Sequence, residues 1–182
     1  MTSIQKNYDK IIKLGDSQIL NLGEIIRYNN RSKIKHENVA EHTFYVSASV
    51  LRICKMFNLP DEIKYKALEF ATVHDIPELL VGDMPYDTKY NNPELAKLLN
   101  DVEVSELEKH MPEFADSYKQ YLIEEEEETL CYLVVKLSDA ISVLQYSSLE
   151  LELGNSTLEM KLINEDSIKR VSTLIDSLKL KK

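Results

Sequence analysis

A repeat of apolar residues between positions 130 and 144 constrains the fold of this chain more than any other feature. Apolar side chains recur there every three or four residues, which places them on one face of an α-helix: Leu130, Leu133, Val134, Leu137, Ile141 and Leu144. Gly154 and Asn155 supply the signal that ends this helix. Because no alternating strand pattern occurs elsewhere, the sequence predicts an all-α fold.

Further helices are predicted from the same spacing and from capping residues. Asn38 and Glu41 approximate a capping box, so we expect a helix to begin at Asn38 and to stop before Leu59–Pro60. Asp61 is expected to cap the next helix, which runs to His74. The remaining predicted helices are two short ones within 3–28 (the second capped by Asp16 or Ser17), one over 93–109, a short one from Pro112 to about Ile123, and one over 158–178.

Polar segments separate these helices. Residues 29–37 and 83–92 are predicted to be loops, since they lack helical periodicity. The five consecutive glutamates from Glu124 to Glu128 are expected to form the solvated first turn of the helix that follows, because carboxylates interact favourably with that end of the helix dipole.

The composition indicates a globular protein of one domain. A chain of 182 residues can enclose one sizeable core, so residues 1–182 are predicted to form a single helical bundle. The 4 glycines and 5 prolines are too few for a turn-rich sandwich or barrel.

The net charge of −9 disfavours binding of duplex nucleic acid. Without a signal region or a membrane-length apolar run, and with two cysteines at core-like positions, we expect a cytoplasmic protein with no membrane partner.

Four side chains with metal-binding chemistry fall on or at the end of helices near the core: His42, His74, Asp75 and Asp139. An isolated ionised carboxylate in a core is very costly. One divalent cation between two neutral imidazoles and two carboxylates would remove that cost, and this donor set suits Co, Mn, Fe, Zn or Mg. Each residue alone has an ordinary explanation, as a core histidine or a hydrogen-bonded aspartate. Their joint occurrence in the order His, His–Asp, Asp is what favours a metal centre.

Three other charged residues are candidates for the same site. Glu78 lies one helical turn after Asp75 and so can lie beside the same metal, although an exposed glutamate is the ordinary alternative. Asp83 either joins the site or starts a turn. Arg27 either binds an anion or is a cation favoured by a helix end.

Three segments carry these residues: ENVAEH (37–42), HDIPELLVGDMP (74–85) and KLSDA (136–140), with Arg27 fifteen residues before His42. Their order and spacing resemble the HD-domain phosphohydrolases, an all-helical and metal-dependent superfamily. Within it, the match is to the branch of the bacterial 5'-deoxynucleotidases (YfbR-like). The resemblance covers about residues 20–155.

The resemblance implies a role for each matching residue. The matches are His42, His74, Asp75 and Asp139 to the metal ligands, Glu78 and Asp83 to acids that orient or activate the attacking water, and Arg27 to the arginine that reaches the substrate phosphate. The chain departs from the family pattern at Tyr28 and Asn29, where members often have Trp-Pro near the sugar. We expect Tyr28 to stack beside the sugar and to give the enzyme a preference for deoxyribose that is weaker than a tryptophan would give.

The predicted function is a metal-dependent 5'-deoxynucleotidase that releases phosphate from deoxynucleoside 5'-monophosphates and, by the resemblance, forms a homodimer. One alternative is a dNTP triphosphohydrolase, which would need extra cations along a longer phosphate chain. Lys33, Lys35 and Lys89 are the candidates for that role, although they are otherwise expected to be solvated. An alternative from another class is a nucleotide-binding or regulatory helical module whose site is structural or senses nucleotides.

Overall fold

The computed structural model describes residues 18–84, 88–89 and 91–182. Regular structure in these ranges is helical, with a 3₁₀ helix over Gln18–Glu24 followed by α1 (Val39–Met56), α2 (Asp61–Val73), α3 (Glu78–Val81), α4 (Pro93–His110), α5 (Pro112–Glu126), α6 (Leu130–Glu152) and α7 (Leu158–Lys181). Pairing of strand type within the described ranges is limited to an isolated antiparallel bridge between Ile26 and Asn38. The predicted all-α fold is confirmed. No helix in the described ranges has both the length and the apolar character needed to cross a membrane.

Helix α6 lies at the centre of the structure and packs against α1, α2, α5 and α7. Side chains from different sides of α6 are almost fully buried, including Val134, Val135 and Leu137. A helix that is enclosed in this way buries polar side chains as well as apolar ones, and each of these needs a partner. Gly154 follows α6 with a φ of +102°, the left-handed conformation that ends many helices, so the predicted end of this helix is confirmed.

The start of α1 confirms the predicted capping box. The Asn38 side chain accepts a hydrogen bond from the Glu41 N–H at 2.9 Å, and the Glu41 carboxylate accepts one from the Asn38 N–H at 3.2 Å. One turn further on, His42 begins a buried stripe that continues with Val46 and Val50 at intervals of four residues. The histidine therefore faces the core and not the solvent.

The predicted position of the glutamate run is wrong. Its first three residues form the last turn of α5, and the next helix begins only after Thr129, whose side chain caps it. Glu124 is buried, because it accepts a hydrogen bond from the Thr129 hydroxyl at 2.7 Å and pairs with Lys66. The charged partner and the hydroxyl offset the cost of burying this carboxylate.

The predicted cap of α2 is wrong, and one predicted N-terminal helix is of the 3₁₀ type. The residue that caps α2 is Pro60, with Asp61 as the first helical residue, because proline fixes the extended conformation that precedes a helix. The predicted second helix of the N-terminal segment is a 3₁₀ helix over Gln18–Glu24. The helix predicted before it, and the caps Asp16 and Ser17, lie outside the described residues.

The end of α6 holds the loop that precedes α1. The fully buried Glu150 accepts hydrogen bonds from the backbone N–H groups of Ile34, at 2.8 Å, and Lys35, at 2.6 Å. Asn155 donates one side-chain hydrogen bond to Glu150 at 2.7 Å and another to the Ser32 carbonyl at 3.0 Å. One carboxylate thus fixes the backbone of a segment that has no regular structure of its own.

Replacing Glu150 with glutamine should destabilise the protein by about 2 kcal/mol, because hydrogen bonds to a charged acceptor become bonds to a neutral one. Burial raises the pKa of Glu150, but hydrogen bonds from Asn155 and from the Lys35 and Ile34 backbone hold that pKa below its ordinary value of 4.5. The stabilisation is therefore present above about pH 4.5 and is lost as the pH falls through the lower folded-state pKa.

Urea unfolding, followed by circular dichroism near neutral pH and again in acid, measures this difference. The difference in the free energy of unfolding between wild type and Glu150→Gln should shrink in acid, because only the wild type loses a charge at position 150. The exposed Glu152, two residues along the same helix, provides the matched control Glu152→Gln, which should unfold like the wild type at both pH values. A difference in the free energy of unfolding that is the same at both pH values would show that the charge of Glu150 does not hold the loop.

Candidate active site

Helices α1, α2 and α6 bring the four predicted metal ligands together. His42 lies in the first turn of α1, and Asp139 lies midway along α6. His74 is the residue at which α2 ends, and Asp75 follows it in a turn. Because α6 packs against both other helices, the three elements converge at one point.

The distances between these side chains are those of one cluster. His42 Nε2 lies 3.4 Å from Asp75 Oδ2 and 3.4 Å from Asp139 Oδ1, and His74 Nε2 lies 3.3 Å from Asp75 Oδ2. Ligand atoms of His42, His74 and Asp75 all lie within 4.8 Å of one another. Asp139 joins this group through its contact with His42. Residues that are up to 97 positions apart in the sequence therefore meet, as predicted.

The ring nitrogens of this cluster fit a cation. Nε2 of His42 and Nε2 of His74 are buried and have no hydrogen-bond partner among the described residues. His74 Nδ1 lies 2.9 Å from the Ala71 carbonyl oxygen, and a proton on Nδ1 leaves the lone pair on Nε2. Burial lowers the pKa of His74, which favours the neutral ring that a metal requires. Two such nitrogens beside two carboxylates are a donor set for a divalent cation.

His42 Nδ1 has two neighbours of different chemistry. Ser142 Oγ lies at 3.2 Å and Arg27 Nη1 at 2.5 Å. A hydroxyl can accept a hydrogen bond from a protonated Nδ1, whereas a guanidinium can only donate one. If His42 Nε2 held a cation, Nδ1 would carry the proton and would donate a hydrogen bond to Ser142, and Arg27 would then have no acceptor at Nδ1.

Both aspartates of the cluster have a lowered pKa. Burial alone would raise the pKa of Asp75 and Asp139, but for Asp75 the neighbouring His74, His42 and Arg27 outweigh burial. For Asp139 the contact with His42 and the positive charge of Arg170 do so, and its pKa lies well below the ordinary value. Both groups are therefore ionised near neutral pH and available as ligands.

Glu78 is in the opposite electrostatic situation. It is the first residue of the short helix α3, and its buried Oε2 atom is hydrogen-bonded to no residue that the structure describes. Burial raises the pKa of Glu78 well above its ordinary value, and the negative charges of Asp75 and Asp83 raise it further. A carboxyl group that lies beside ionised carboxylates and binds a proton readily has the properties of a general acid or base.

Arg27 and Tyr28 lie in a turn that two acidic residues hold. Glu37 accepts a hydrogen bond from Arg27 Nη1 at 3.0 Å, and Asp83 Oδ2 accepts one from the Tyr28 backbone N–H at 3.1 Å. Tyr28 has a φ of +55°, a conformation that costs a side-chain-bearing residue free energy, and its ring stacks on Tyr146 at a centroid distance of 4.8 Å. Asp83 therefore fixes the turn; its predicted action on the attacking water stays a prediction.

A cavity of about 1100 Å³ opens over this cluster. Seven of the eight predicted site residues line it: Arg27, Tyr28, His74, Asp75, Glu78, Asp83 and Asp139. His42 lies behind them, with a relative exposure of 1%. The cavity is large enough for a nucleotide.

Two of the three lysines that were expected to be solvated are half-buried and have hydrogen-bond partners. Lys89 donates a hydrogen bond to the buried Glu103 at 2.8 Å, and the Tyr118 hydroxyl donates to the same carboxylate. Lys33 donates to the Tyr28 carbonyl oxygen at 2.7 Å. Both ammonium groups therefore stabilise the walls of the site.

Sequence reasoning missed several residues around the cluster. Lys136 and Ser142 each lie three residues from Asp139 on α6, so helical spacing alone could have placed them beside it. Arg170 lies on α7 with its Nη2 atom 3.5 Å from Asp139 Oδ2. No spacing rule connects positions 139 and 170, because their contact depends on how α7 packs along α6.

The helical fold, together with the cluster of histidine, histidine–aspartate and aspartate, defines a metal-dependent phosphohydrolase of the HD-domain class. The family described as 5'-deoxynucleotidase YfbR-like matches residues 17–177. The chain belongs to this family. The match extends beyond residues 20–155, where the sequence-based resemblance was expected, and includes most of α7.

Individual relatives agree with this assignment. A 5'-deoxynucleotidase from Vibrio cholerae is 30% identical over 138 residues, which are 72% of this chain and 71% of that one. An HD-domain phosphohydrolase from Listeria innocua has a similar structure, with a TM-score of 0.70, 25% identity and coverage of 87% of this chain and 78% of that chain. A cyanophage S-2L HD phosphohydrolase, solved with dA and one catalytic Zn²⁺, has a TM-score of 0.61 and 20% identity over 88% of this chain and 91% of its own. The predicted family and the predicted enzyme class, a phosphoric ester hydrolase, are confirmed.

Proposed function

We propose that the protein is a metal-dependent 5'-deoxynucleotidase that hydrolyses deoxynucleoside 5'-monophosphates to a deoxynucleoside and phosphate. The observation that carries the proposal is the pair of buried histidine Nε2 atoms, unsatisfied by any described group, beside two ionised aspartates at the wall of a nucleotide-sized cavity. The family match and the 5'-deoxynucleotidase relatives supply the substrate class.

His42, His74, Asp75 and Asp139 would hold one divalent cation in this proposal. A cation in such a site lowers the pKa of water and polarises a phosphoryl oxygen. Nitrogen and carboxylate donors accommodate Co, Mn, Fe, Zn or Mg, and the cyanophage neighbour was solved with Zn²⁺.

Arg27 is assigned to the substrate phosphate. Its guanidinium lies against Glu37 and His42 and lines the cavity. Once His42 Nδ1 carries a proton, Arg27 loses one of its two acceptors, and a phosphate oxygen in the cavity can replace it. The planar guanidinium can offer two parallel hydrogen bonds to phosphate, which orient the reacting group.

Glu78 is assigned to the proton of the attacking water. Glu78 lines the cavity, and burial together with the charges of Asp75 and Asp83 raises its pKa. A base that accepts a proton from water as the bond to phosphorus forms can return it to the leaving sugar oxygen. No side chain needs to form a covalent bond to phosphorus.

Glu78→Gln should lower kcat by about 10²–10⁴, the usual contribution of a proton-transfer group, while metal content stays the same. Phosphate release and metal analysis of the purified variant measure the two effects separately. The exposed Glu69 on α2 offers a control, and Glu69→Gln should retain wild-type kcat. A loss of metal in Glu78→Gln would place Glu78 among the ligands, whereas an unchanged kcat would exclude it from the mechanism.

A dNTP triphosphohydrolase is the second candidate, and one observation favours it. Additional cations line the cavity: Arg31, Lys136 and Arg170, together with Lys89, which is one of the three lysines expected from the sequence. Arg31 and Arg170 already pair with Glu159 and Asp139, respectively, which weakens the case for a longer phosphate chain.

A product assay decides between these candidates. The purified protein is incubated with dAMP or dATP in the presence of each of several divalent metals, and released phosphate and triphosphate are measured. Phosphate from dAMP supports the 5'-deoxynucleotidase, and triphosphate from dATP supports the alternative. Retention of nucleotide without either product, across all metals, would overturn both in favour of a regulatory module.

Selection of the sugar is assigned to Tyr28. One face of its ring is covered by Tyr146, with an angle of 4° between the ring planes, so the phenol is held in a fixed orientation at the cavity wall. A ring fixed in this way can exclude a 2'-hydroxyl group by steric contact.

The ratio of kcat/KM for dAMP over AMP should lie between roughly 10 and 200, because steric exclusion of one group contributes ~1–3 kcal/mol. Tyr28→Ala should bring the ratio toward one, mainly by improving hydrolysis of AMP. Tyr146→Phe, which keeps the stacked ring and removes only the hydrogen bond to the Lys35 carbonyl, should keep the preference. Equal hydrolysis of AMP and dAMP by the wild type would exclude Tyr28 as the selecting residue.

We further propose that residues 1–182 form one domain and that the chain is a cytoplasmic homodimer that binds neither duplex nucleic acid nor membranes. The net charge of −9 supports the absence of binding to duplex nucleic acid and to membranes.

Three exposed apolar side chains on α1 support a surface for a second copy: Phe44 at 68%, Tyr45 at 38% and Leu51 at 47% exposure. Light scattering should give about twice the chain mass of 21.0 kDa, and a species of one chain mass would contradict the dimer.

A further inference from the structure

The two oxygens of the Asp139 carboxylate face different partners. Oδ1 lies 3.4 Å from His42 Nε2, in the cluster of proposed metal ligands. Oδ2 lies 3.5 Å from Arg170 Nη2. Both side chains are largely buried, with relative exposures of 18% for Asp139 and 24% for Arg170. One carboxylate thus connects the cluster to a cation on the C-terminal helix.

We infer that Arg170 is a positioning residue for the metal centre, which holds the Asp139 carboxylate so that Oδ1 points at the cation. This inference rests on the proposed function, because it presumes that the cluster binds a metal. It gives α7 a part in the site, although α7 supplies none of the predicted ligands.

The backbone of α7 is well placed to hold an arginine still. Ser167, one turn before Arg170, is buried, and Val171 and Leu174 pack against the core. Arg170 therefore projects from a part of α7 that is fixed against α6. The terminal torsion of an aspartate has a broad minimum, so a carboxylate with only one directing contact samples many orientations. A second contact on the opposite oxygen narrows that range.

Two other roles for Arg170 make different predictions. If Arg170 acted on the site only by long-range electrostatic repulsion of the cation, its removal would tighten metal binding. If it bound the substrate phosphate, its removal would raise KM and leave metal affinity unchanged. Of the three roles, only orientation of Asp139 predicts that removal of the Arg170 side chain weakens metal binding. Groups that orient metal ligands typically contribute 10–100-fold to affinity.

The test is a titration of metal-free protein with Mn²⁺, with free Mn²⁺ measured by electron paramagnetic resonance and no substrate present. Arg170→Met should weaken Mn²⁺ binding by about 10–100-fold. Arg170→Lys keeps the charge without the planar fork and should lie between wild type and Arg170→Met. Unchanged or tighter binding in Arg170→Met would overturn the inference.

A double-mutant cycle shows whether the effect passes through Asp139. In an Asp139→Asn background, Arg170→Met should cause little further loss, because the charged carboxylate that it orients is already absent. Equal losses in both backgrounds would show that Arg170 acts through another group and would overturn the inference. Arg170→Lys serves here as the second variant if Arg170→Met does not fold.

The control removes a positive charge elsewhere on the same helix. Lys179 lies nine residues after Arg170 and pairs with Asp176 on the surface, so Lys179→Met should bind Mn²⁺ like the wild type. Failure of the wild type itself to bind Mn²⁺ would overturn the proposed function. Tight binding by both the wild type and Arg170→Met would overturn only the role of Arg170.

Discussion

Burial of ionised carboxylates at the junction of three helices is the constraint on which the rest of this structure depends. Asp139 projects from α6, the most enclosed helix, and Asp75 follows the end of α2, with relative side-chain exposures of 18% and 16%. Two carboxylates that lie so close repel each other, and an uncompensated charge in a core is very costly. The surrounding imidazoles and guanidinium groups offset part of this cost, and a divalent cation would offset more.

Carboxylates also organise the parts of the site that have no regular structure. Glu150 binds the backbone of the loop before α1, Glu37 holds Arg27, and Asp83 binds the backbone of Tyr28. Glu103 accepts a hydrogen bond from the Lys89 side chain in the segment after α3, where residues 88–89 are helical. The excess of acidic residues that gives the chain its net charge of −9 is thus not confined to its surface. Several of these residues are structural anchors, and two of them hold Arg27 and Lys89 at the wall of the cavity.

Helical periodicity predicted the parts of this protein whose positions depend on local spacing. The apolar repeat of α6 identified the central helix, and Asn38 with Glu41 identified the start of α1. The same spacing placed His42 and Asp139 on buried faces, which is why they could be selected as candidates. The glutamate run was misplaced because local charge preference favours a helix start, whereas the buried partners Lys66 and Thr129 determine where Glu124 lies.

The sequence by itself determined most of the helices, the buried faces that carry His42 and Asp139, and the resemblance that connected His42, His74, Asp75 and Asp139. The helices and their buried faces depend on residues within a few positions of one another, and a periodic pattern records them directly. Only the tertiary structure decided which oxygen of Asp139 faces His42 and which faces Arg170, that Asp83 binds the Tyr28 backbone, and that Tyr28 stacks on Tyr146. Those contacts join residues 31 to 118 positions apart, and they depend on how one helix or turn is placed against another, which local spacing does not encode.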